Sequence, residues 1–285
     1  MAAELHVHLE GSVAPAEVGL GHVRTGDFAG FLQLFKAISQ RLETPGDYAH
    51  ITTRLLRSFV NQGIDTAEIT LSAGVVLWKN QDLHAVYQAI HSACLAIPEV
   101  SVKWCFDAVR QFGEEPAMRV AEIAAELRHE GVVSFGIGGD EIRGPAALFE
   151  KVFAFARSKG LRLTAHAGET AGPDSIWDAL RIGAERIGHG IRAIEDPKLL
   201  RHLRDAGIPL EVCITSNLVT GVVERLGDHP VRRLFEAGVP ITLNTDDPGI
   251  FETTLDREFE IARDAFGFTA EDLKTVAANA YHYAF

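Results

Sequence analysis

The sequence has few cysteines, and their number and spacing argue against a disulfide framework. Cys94, Cys105 and Cys213 are odd in number, lie far apart and form no C-x-x-C pair. Disulfide scaffolds and thiolate-rich metal sites need paired or clustered cysteines. We therefore expect three reduced, mostly buried thiols in a cytoplasmic protein.

Basic runs and membrane-directed segments are also lacking. The chain has 27 Lys and Arg against 39 Asp and Glu, which gives a formal net charge of −12 at pH 7. Because phosphate backbones and anionic membranes attract clustered Lys and Arg, neither nucleic acid nor a membrane is an expected partner. No apolar run is long enough to span a bilayer, and MAAELHVHLE has no basic region followed by an apolar one, so no secretory signal is predicted.

Apolar side chains are abundant and make up 47% of the 285 residues. This fraction is sufficient for a sizeable core, and single α/β barrels commonly have this length. No linker rich in Pro, Gly or Ser and no low-complexity tract divides the sequence. We therefore expect one domain over residues 1–285.

Eight short β-type runs alternate with segments of helical pattern. Several runs are almost continuously apolar, which is typical of parallel strands covered on both faces. The predicted strands are 3–9, 66–72, 100–108, 132–139, 162–168, 185–190, 209–216 and 240–247. Segments between them, such as 115–131 and 174–183, repeat apolar residues every three or four positions and end on glycine. Eight similar β/α units without an obvious edge strand predict a closed (β/α)8 barrel rather than a doubly wound sheet.

The first predicted strand carries two histidines on one face. Side chains at positions i and i+2 of a strand point the same way, so His6 and His8 in AELHVHLEGS should project side by side. A lone H-x-H in a strand more often reflects packing than a metal site. The pair therefore needs support from other parts of the chain.

Polar residues recur at the ends of the other predicted strands. The stretches are GGDE at 138–141, HAGE with His166 and Glu169, GHG with His189, TSN at 215–217, and NTDDP with Asp246 and Asp247. The carboxyl ends of barrel strands converge on one mouth, where the active sites of this fold lie. Each stretch alone has a structural explanation, such as an Asx turn for NTDDP, but their joint placement indicates one site.

The residue types of this site indicate a divalent metal. Three imidazoles, from His6, His8 and His166, and one carboxylate of the Asp246–Asp247 pair suit Zn²⁺ or a similar ion. Such an ion can activate water near neutral pH.

The remaining polar residues of the mouth would carry protons or orient water and substrate. Glu169 lies three residues beyond a candidate ligand and would be free to carry a proton, while His189 and the second aspartate would orient water or substrate. Eight other histidines fall on predicted helices or loops and are interpreted as surface residues: His22, His50, His84, His91, His129, His202, His229 and His282.

In this order, the motifs resemble those of the adenosine deaminase family of metal-dependent amidohydrolases. The resemblance covers almost the whole chain and rests on AELHVHLEGS, TPGDYAHI, GGDE, HAGE, RIGHG, CITSN and LNTDDP. It implies one Zn²⁺ per chain, bound by His6, His8, His166 and Asp246.

The resemblance also implies roles for the residues around the ion. Glu169 would hydrogen-bond to N1 of a purine and donate the proton that makes C6 electrophilic, and His189 would hold the attacking water and help to deprotonate it. Asp247 would contact N7, and the backbone N–H of Gly139 would bind N3. Elementary chemistry agrees, because attack at C6 puts negative charge on the ring and a neutral Glu beside N1 relieves it.

Three features bear on the substrate. Glu10, near the expected sugar end, stands where adenosine-specific members have Asp. In having Glu there, the chain resembles adenine deaminases and aminodeoxyfutalosine deaminases. GGDE is similar to the corresponding motif of nucleoside deaminases rather than to that of adenine deaminases. Gly136, however, stands where adenosine deaminases often have Asp. The segment from Gly11 to Phe28 is much shorter than the lid helices of the family. We therefore expect deamination at C6 of a purine nucleoside, adenosine or 6-aminodeoxyfutalosine, with adenine as the alternative substrate.

Two other kinds of function compete with this hypothesis. A barrel hydrolase of another bond, such as a lactone or a phosphotriester, commonly needs a bridging Lys at the end of strand four, and GIGGDE has none. A catalytically inactive relative acting as a binding protein would not need all four presumed ligands and Glu169. Both observations favour the deaminase.

Overall fold

The computed structural model describes residues 2–21 and 26–285. His22, which was expected at the surface, and part of the Gly11–Phe28 segment lie outside the described residues.

Eight parallel strands form one sheet in the order of the chain. They are β1 Ala2–His8, β2 Ile64–Leu71, β3 Ser101–Val109, β4 Val132–Gly138, β5 Arg162–Ala167, β6 Arg186–His189, β7 Leu210–Val212 and β8 Ile241–Leu243. The first and last strands meet where Val7 bridges to Asp246 and the His8 N–H donates to the Asp246 carbonyl at 2.7 Å. The predicted (β/α)8 barrel is confirmed, although β7 and β8 end four residues earlier than expected.

Thirteen α-helices occur in the described residues, most of them between the strands. They are α1 Phe28–Arg41, α2 Pro45–Gln62, α3 Ala73–Trp78, α4 Leu83–Leu95, α5 Glu114–Glu126, α6 Glu150–Ser158, α7 Pro173–Ile182, α8 Pro197–Ala206, α9 Ile214–Val219, α10 Val231–Glu236, α11 Pro248–Phe251, α12 Leu255–Phe266 and α13 Ala270–Tyr283. Single 3₁₀ turns cover Glu10–Ser12, Pro15–Val18, Arg110–Phe112, Arg128–Glu130, Ala146–Phe149, Ile191–Glu195 and Leu226–Asp228. None of these helices combines the length and apolar character of a bilayer span.

Helix α2 illustrates how local sequence sets the boundaries. The Thr44 hydroxyl accepts from the Asp47 N–H at 3.2 Å, while the Asp47 carboxylate accepts from the Thr44 N–H at 2.7 Å, so two free donors of the first turn are satisfied. Pro45 starts the helix with a preset φ, and Gly63 ends it with a φ of 70°. The chain is thereby delivered directly into β2.

The two faces of the sheet have different contents. Val7 and Leu9 of the first β/α unit belong to the apolar core between sheet and helices. Glu4, His6 and His8 alternate with them and are also buried. Because alternate strand residues share a face, these polar side chains lie together on the inside of the barrel. The inside of the barrel is therefore lined by buried polar side chains as far as the mouth. The cysteines are unpaired thiols, and Cys105 and Cys213 are buried, as expected.

Candidate active site

The carboxyl ends of the strands bring the predicted metal ligands together. His8 Nε2 lies 3.1 Å from His166 Nε2, so residues of β1 and β5 meet across the mouth. Asp246 Oδ1, from the turn after β8, lies 3.3 Å from His6 Nε2 and 3.3 Å from His8 Nε2. Four ligands at about 2.1 Å from one tetrahedral ion are about 3.4 Å apart, so this spacing fits a divalent metal.

Neighbouring groups fix which nitrogen His6 and His166 turn inward. Glu211 accepts from His6 Nδ1 at 2.7 Å, and the Ile137 carbonyl accepts from His166 Nδ1 at 3.3 Å. The Nε2 atoms of both rings are then left with a lone pair for an ion, an arrangement usual around protein-bound metals. His6 Nε2 is buried without a hydrogen-bond partner, which is costly unless a ligand satisfies it. The residues present therefore fit a resident metal ion.

His189 is an alternative to His8 as a metal ligand. Donor atoms of His6, His166, His189 and Asp246 all lie within 4.8 Å of one another. His189 Nε2 is 3.8 Å from Asp246 Oδ2 and 3.7 Å from Glu169 Oε2, farther than the His8 contacts. His189 and Asp246 both adopt left-handed backbone conformations, with φ of 60° and 62°. Such strain in non-glycine residues concentrates at functional sites.

Glu169 is held in place by a second carboxylate. Glu141 accepts from the backbone N–H groups of Gly168, Glu169 and Thr170 at 2.7, 2.9 and 2.8 Å. Burial, with the nearby Asp246 and Glu141 charges, raises the pKa of Glu169 well above its usual value. Burial acts in the same direction on Glu141, but the Ser175 hydroxyl and the Arg110 charge keep its pKa below the usual value. The site thus pairs a proton-holding carboxyl with an ionised one.

Asp246 and Asp247 have opposite protonation tendencies. Burial opposes ionisation of Asp246, but the close His6 and His8 imidazoles hold its pKa well below the usual range. Its second oxygen accepts from the Ser216 hydroxyl at 2.7 Å. Burial and the adjacent Asp246 charge raise the pKa of Asp247.

Asp247 also has an unpaired oxygen in the site. Its Oδ1 is buried without a hydrogen-bond partner. A Cβ on Gly11 would lie 1.7 Å from this oxygen, so the carboxyl needs glycine at that position. The geometry leaves Asp247 available to a ligand atom.

The two other predicted substrate contacts lie at neighbouring strand ends. Gly139 follows β4 with a φ of 97°, and a Cβ there would lie 2.3 Å from Gln111 Oε1, so the position suits only glycine. Glu10 is completely buried, and its carboxylate accepts from the Ser72 N–H at 3.2 and 3.4 Å. The Glu10 carboxylate is therefore fixed at the end of β2.

A network of buried ion pairs next to the site was not predicted from the sequence. Arg186 binds Glu68 and Glu211 at 2.6 Å each, and Glu211 in turn accepts from His6. All three charged side chains are buried. The available signal was a charged residue inside an otherwise apolar strand, since such residues must be paired when buried. The network connects the barrel interior to a metal-ligand candidate.

One histidine was wrongly interpreted as a surface residue. His50, His129, His202 and His282 are exposed, and His84 and His91 are half-buried, but His229 is buried at 3% exposure. Burial, then the nearby His189 and Arg233, lower the pKa of His229 to about 3. It lies in GDHP, just before α10, and its buried ring bonds to Asn217.

The burial of His229 gives an acid-stability prediction. An unfolded imidazole binds a proton below about pH 6.5, whereas folded His229 stays neutral to about pH 3, so stability is lost as the pH falls through this window. At pH 5 the loss should reach about 2 kcal/mol relative to pH 7. His229→Gln should therefore show a smaller drop in Tm between pH 7 and pH 5 than the unmodified chain. Equal drops would show that His229 does not resist protonation.

These features define a (β/α)8-barrel enzyme of the amidohydrolase type. The model of the family described as adenosine deaminase matches residues 16–285, which starts after His6 and His8. The chain belongs to the adenosine deaminase family, a metal-dependent family, as its motifs predicted.

Relatives extend this match over the first strand. Aminodeoxyfutalosine deaminase of Streptomyces avermitilis is 37% identical over 307 residues, covering 99% of this chain and 86% of the relative. Adenine deaminase of Sinorhizobium medicae is 36% identical over 304 residues, covering 99% and 93%. The crystal structure of an adenine deaminase from Arthrobacter aurescens is similar with a TM-score of 0.92 and 28% identity, covering 100% and 93%. The chain is a purine deaminase and thus a hydrolase acting on C–N bonds.

Proposed function

We propose that this deaminase hydrolyses the exocyclic amino group at C6 of an aminopurine nucleoside and releases ammonia, with one Zn²⁺ per chain. The observation that carries the proposal is the placement of Glu169, a buried carboxyl with a raised pKa, 3.7 Å from His189 and beside the candidate ligand cluster. A carboxylic acid that stays protonated near neutral pH can donate a proton to a ring nitrogen.

The ligands of the ion would be His6, His8, His166 and Asp246. When bound, Zn²⁺ acts as a Lewis acid that makes water nucleophilic near neutral pH. Ser216 and Glu211 hold two of the ligands from behind, through Asp246 Oδ2 and His6 Nδ1. They would fix the orientation of the ligands before substrate enters.

The remaining residues would bind the purine and move protons. Glu169 donates to N1 as negative charge develops on the ring, and His189 holds the attacking water at the shared edge of Glu169 and Asp246. Asp247 offers its unpaired Oδ1 toward N7, where a protonated carboxyl can donate. The Gly139 N–H binds N3. Bulk water is excluded because these side chains are almost fully buried.

Two observations favour a nucleoside with a larger 5′ group, 6-aminodeoxyfutalosine first. Glu10 is one methylene longer than Asp and is fixed by the Ser72 N–H, so a 5′-hydroxyl that fits an Asp should be misaligned. Trp78, 45% exposed, follows β2 and stacks on Phe112 after β3 with centroids 6.0 Å apart, which leaves an aromatic surface on that side of the mouth. The relative from Streptomyces avermitilis named for this substrate supports the choice.

Adenine is the second candidate substrate. A 36% identical relative and a solved structure of the same fold are named adenine deaminases. Free adenine would need the same contacts to N1, N3 and N7 but none at the sugar end. The two candidate substrates would therefore differ only in whether they contact the region around Glu10.

Steady-state kinetics on adenosine, adenine, 2′-deoxyadenosine, 5′-methylthioadenosine and 6-aminodeoxyfutalosine test the proposal. Because contacts with remote parts of a substrate lower the barrier, kcat/KM for 6-aminodeoxyfutalosine should exceed that for adenosine at least about tenfold, or about 1.4 kcal/mol. In Glu10→Asp the ratio of the two values should move toward adenosine, and a ratio cancels any general folding loss. Equal rates on adenosine and every bulkier analogue would remove the Glu10 argument, and no ammonia from any purine would remove the proposed function.

A further inference from the structure

A chain of three hydrogen bonds connects the start of helix α10 to His189. The Val231 N–H donates to His229 Nδ1 at 3.2 Å. His229 Nε2 lies 3.1 Å from Asn217 Oδ1, and Asn217 Nδ2 lies 3.2 Å from His189 Nδ1. The three side chains are at most 3% exposed, so these bonds are made in the absence of competing solvent.

The polarity of this chain is set by a group that can only donate. Because the Val231 N–H donates to it, His229 Nδ1 must be unprotonated. A neutral His229 then carries its proton on Nε2 and donates to Asn217 Oδ1. That bond orients the amide, so that Asn217 turns its NH₂ group toward His189.

The same logic fixes the proton of the catalytic-site imidazole. His189 Nδ1 accepts from Asn217 Nδ2 and cannot carry a proton itself. The ring proton is therefore on Nε2, the atom 3.7 Å from Glu169 Oε2 and 3.8 Å from Asp246 Oδ2.

We propose that Asn217 and His229 are positioning residues that fix His189 in the tautomer protonated on Nε2. For its effect on turnover, the inference rests on the proposed deaminase function. His189 then presents an N–H, not a lone pair, to the place where water is held. It acts as a hydrogen-bond donor that stabilises negative charge developing on that water.

The test uses two matched substitutions. Asn217→Asp has the same shape and still accepts from His229 Nε2, but it offers an acceptor where the amide offered a donor. It should therefore move the His189 proton to Nδ1. His229→Gln keeps a donor toward Asn217 and should leave the tautomer unchanged, whereas His229→Leu removes the donor that orients the amide.

Nitrogen-15 spectra of histidine-labelled, zinc-loaded protein measure the result directly, because protonated and unprotonated ring nitrogens resonate at separate shifts. His189 is assigned from the signals lost in His189→Gln. In the unmodified chain and in His229→Gln, Nε2 should be the protonated nitrogen, and in Asn217→Asp Nδ1 should become protonated. We expect kcat to fall about 100-fold or more in Asn217→Asp with a smaller change in KM, and most of kcat to remain in His229→Gln but not in His229→Leu.

The outcomes distinguish a failure of the His189 tautomer proposal from a failure of the proposed deaminase function. A His189 proton on Nδ1 in the unmodified chain, or one that stays on Nε2 in Asn217→Asp, overturns the inference. A tautomer that moves while kcat stays constant shows that the chain of bonds is only structural and also overturns the positioning role. If the tautomer moves as expected but no purine is deaminated, the hydrogen-bond assignment stands and the proposed function fails.

Discussion

Glu169→Gln should retain its metal and lose about 10² to 10⁴-fold in kcat. Glutamine has the size of glutamate but no acidic proton, and general acid groups typically contribute a factor in this range. The backbone of Glu169 is held by Glu141 at 2.9 Å, so the substitution should leave the position of the side chain unchanged. Ammonia release under single-turnover conditions and zinc content of the same sample provide the measurement.

Asp140→Asn is the matched control for this substitution. Asp140 lies at the same mouth, after β4, but its Oδ1 caps the next turn by accepting from the Ile142 and Arg143 N–H groups at 3.0 and 3.1 Å. An Asn oxygen can accept the same bonds, so the control should keep near-native activity. If Glu169→Gln is as active as the control, Glu169 is not the proton donor.

The fold was largely predictable because its signals are local. Apolar strand runs, helix caps such as Thr44 and terminal glycines such as Gly63 each act within a few residues. The strand ends of β7 and β8 were less predictable. There, buried residues continue beyond the last paired residue of each strand, as Cys213 does after β7 and Asn244 after β8. The chain then turns into α9 at Ile214 or reaches the left-handed Asp246. Hydrophobicity does not distinguish a strand from a buried turn at such points.

The candidate ligands were predictable for a different reason. Parallel strands converge at their carboxyl ends, so residues far apart in sequence, such as His8 and His166, can be placed together from topology alone. No such rule predicts the residues that hold these side chains in place. Glu211 and Asn217 act through the rings of His6 and His189, and which pairs face each other depends on strand register and side-chain direction. His229 shows the same limit, because nothing in its local sequence indicates its buried partner Asn217.

Substitution of His8 and of His189 should have very different effects on zinc binding. The shorter contacts of His8 Nε2, 3.1 Å to His166 Nε2 and 3.3 Å to Asp246 Oδ1, favour His8 as the ligand. His189 Nε2 is 3.8 Å from Asp246 and, in the tautomer proposed above, carries the ring proton. A protonated nitrogen cannot ligate a metal. We therefore expect His8→Ala to lose zinc and His189→Gln to keep one zinc per chain.

Glu211→Gln provides an intermediate step in the same series. Outer-shell partners of metal ligands typically contribute about 10- to 100-fold to metal affinity, so Glu211→Gln, which weakens the hold on His6 Nδ1, should reduce zinc affinity by this amount. Loss of the ligand in His8→Ala should cost more than about 100-fold. Competition with a chromophoric chelator, together with elemental analysis, ranks the variants. Because a metal that binds only the folded state also raises Tm, the loss of zinc-dependent stabilisation should follow the same order. If His8→Ala keeps full zinc occupancy while His189→Gln loses it, the ligand set is His6, His166, His189 and Asp246, and the assignment of the His189 proton to Nε2 fails with it.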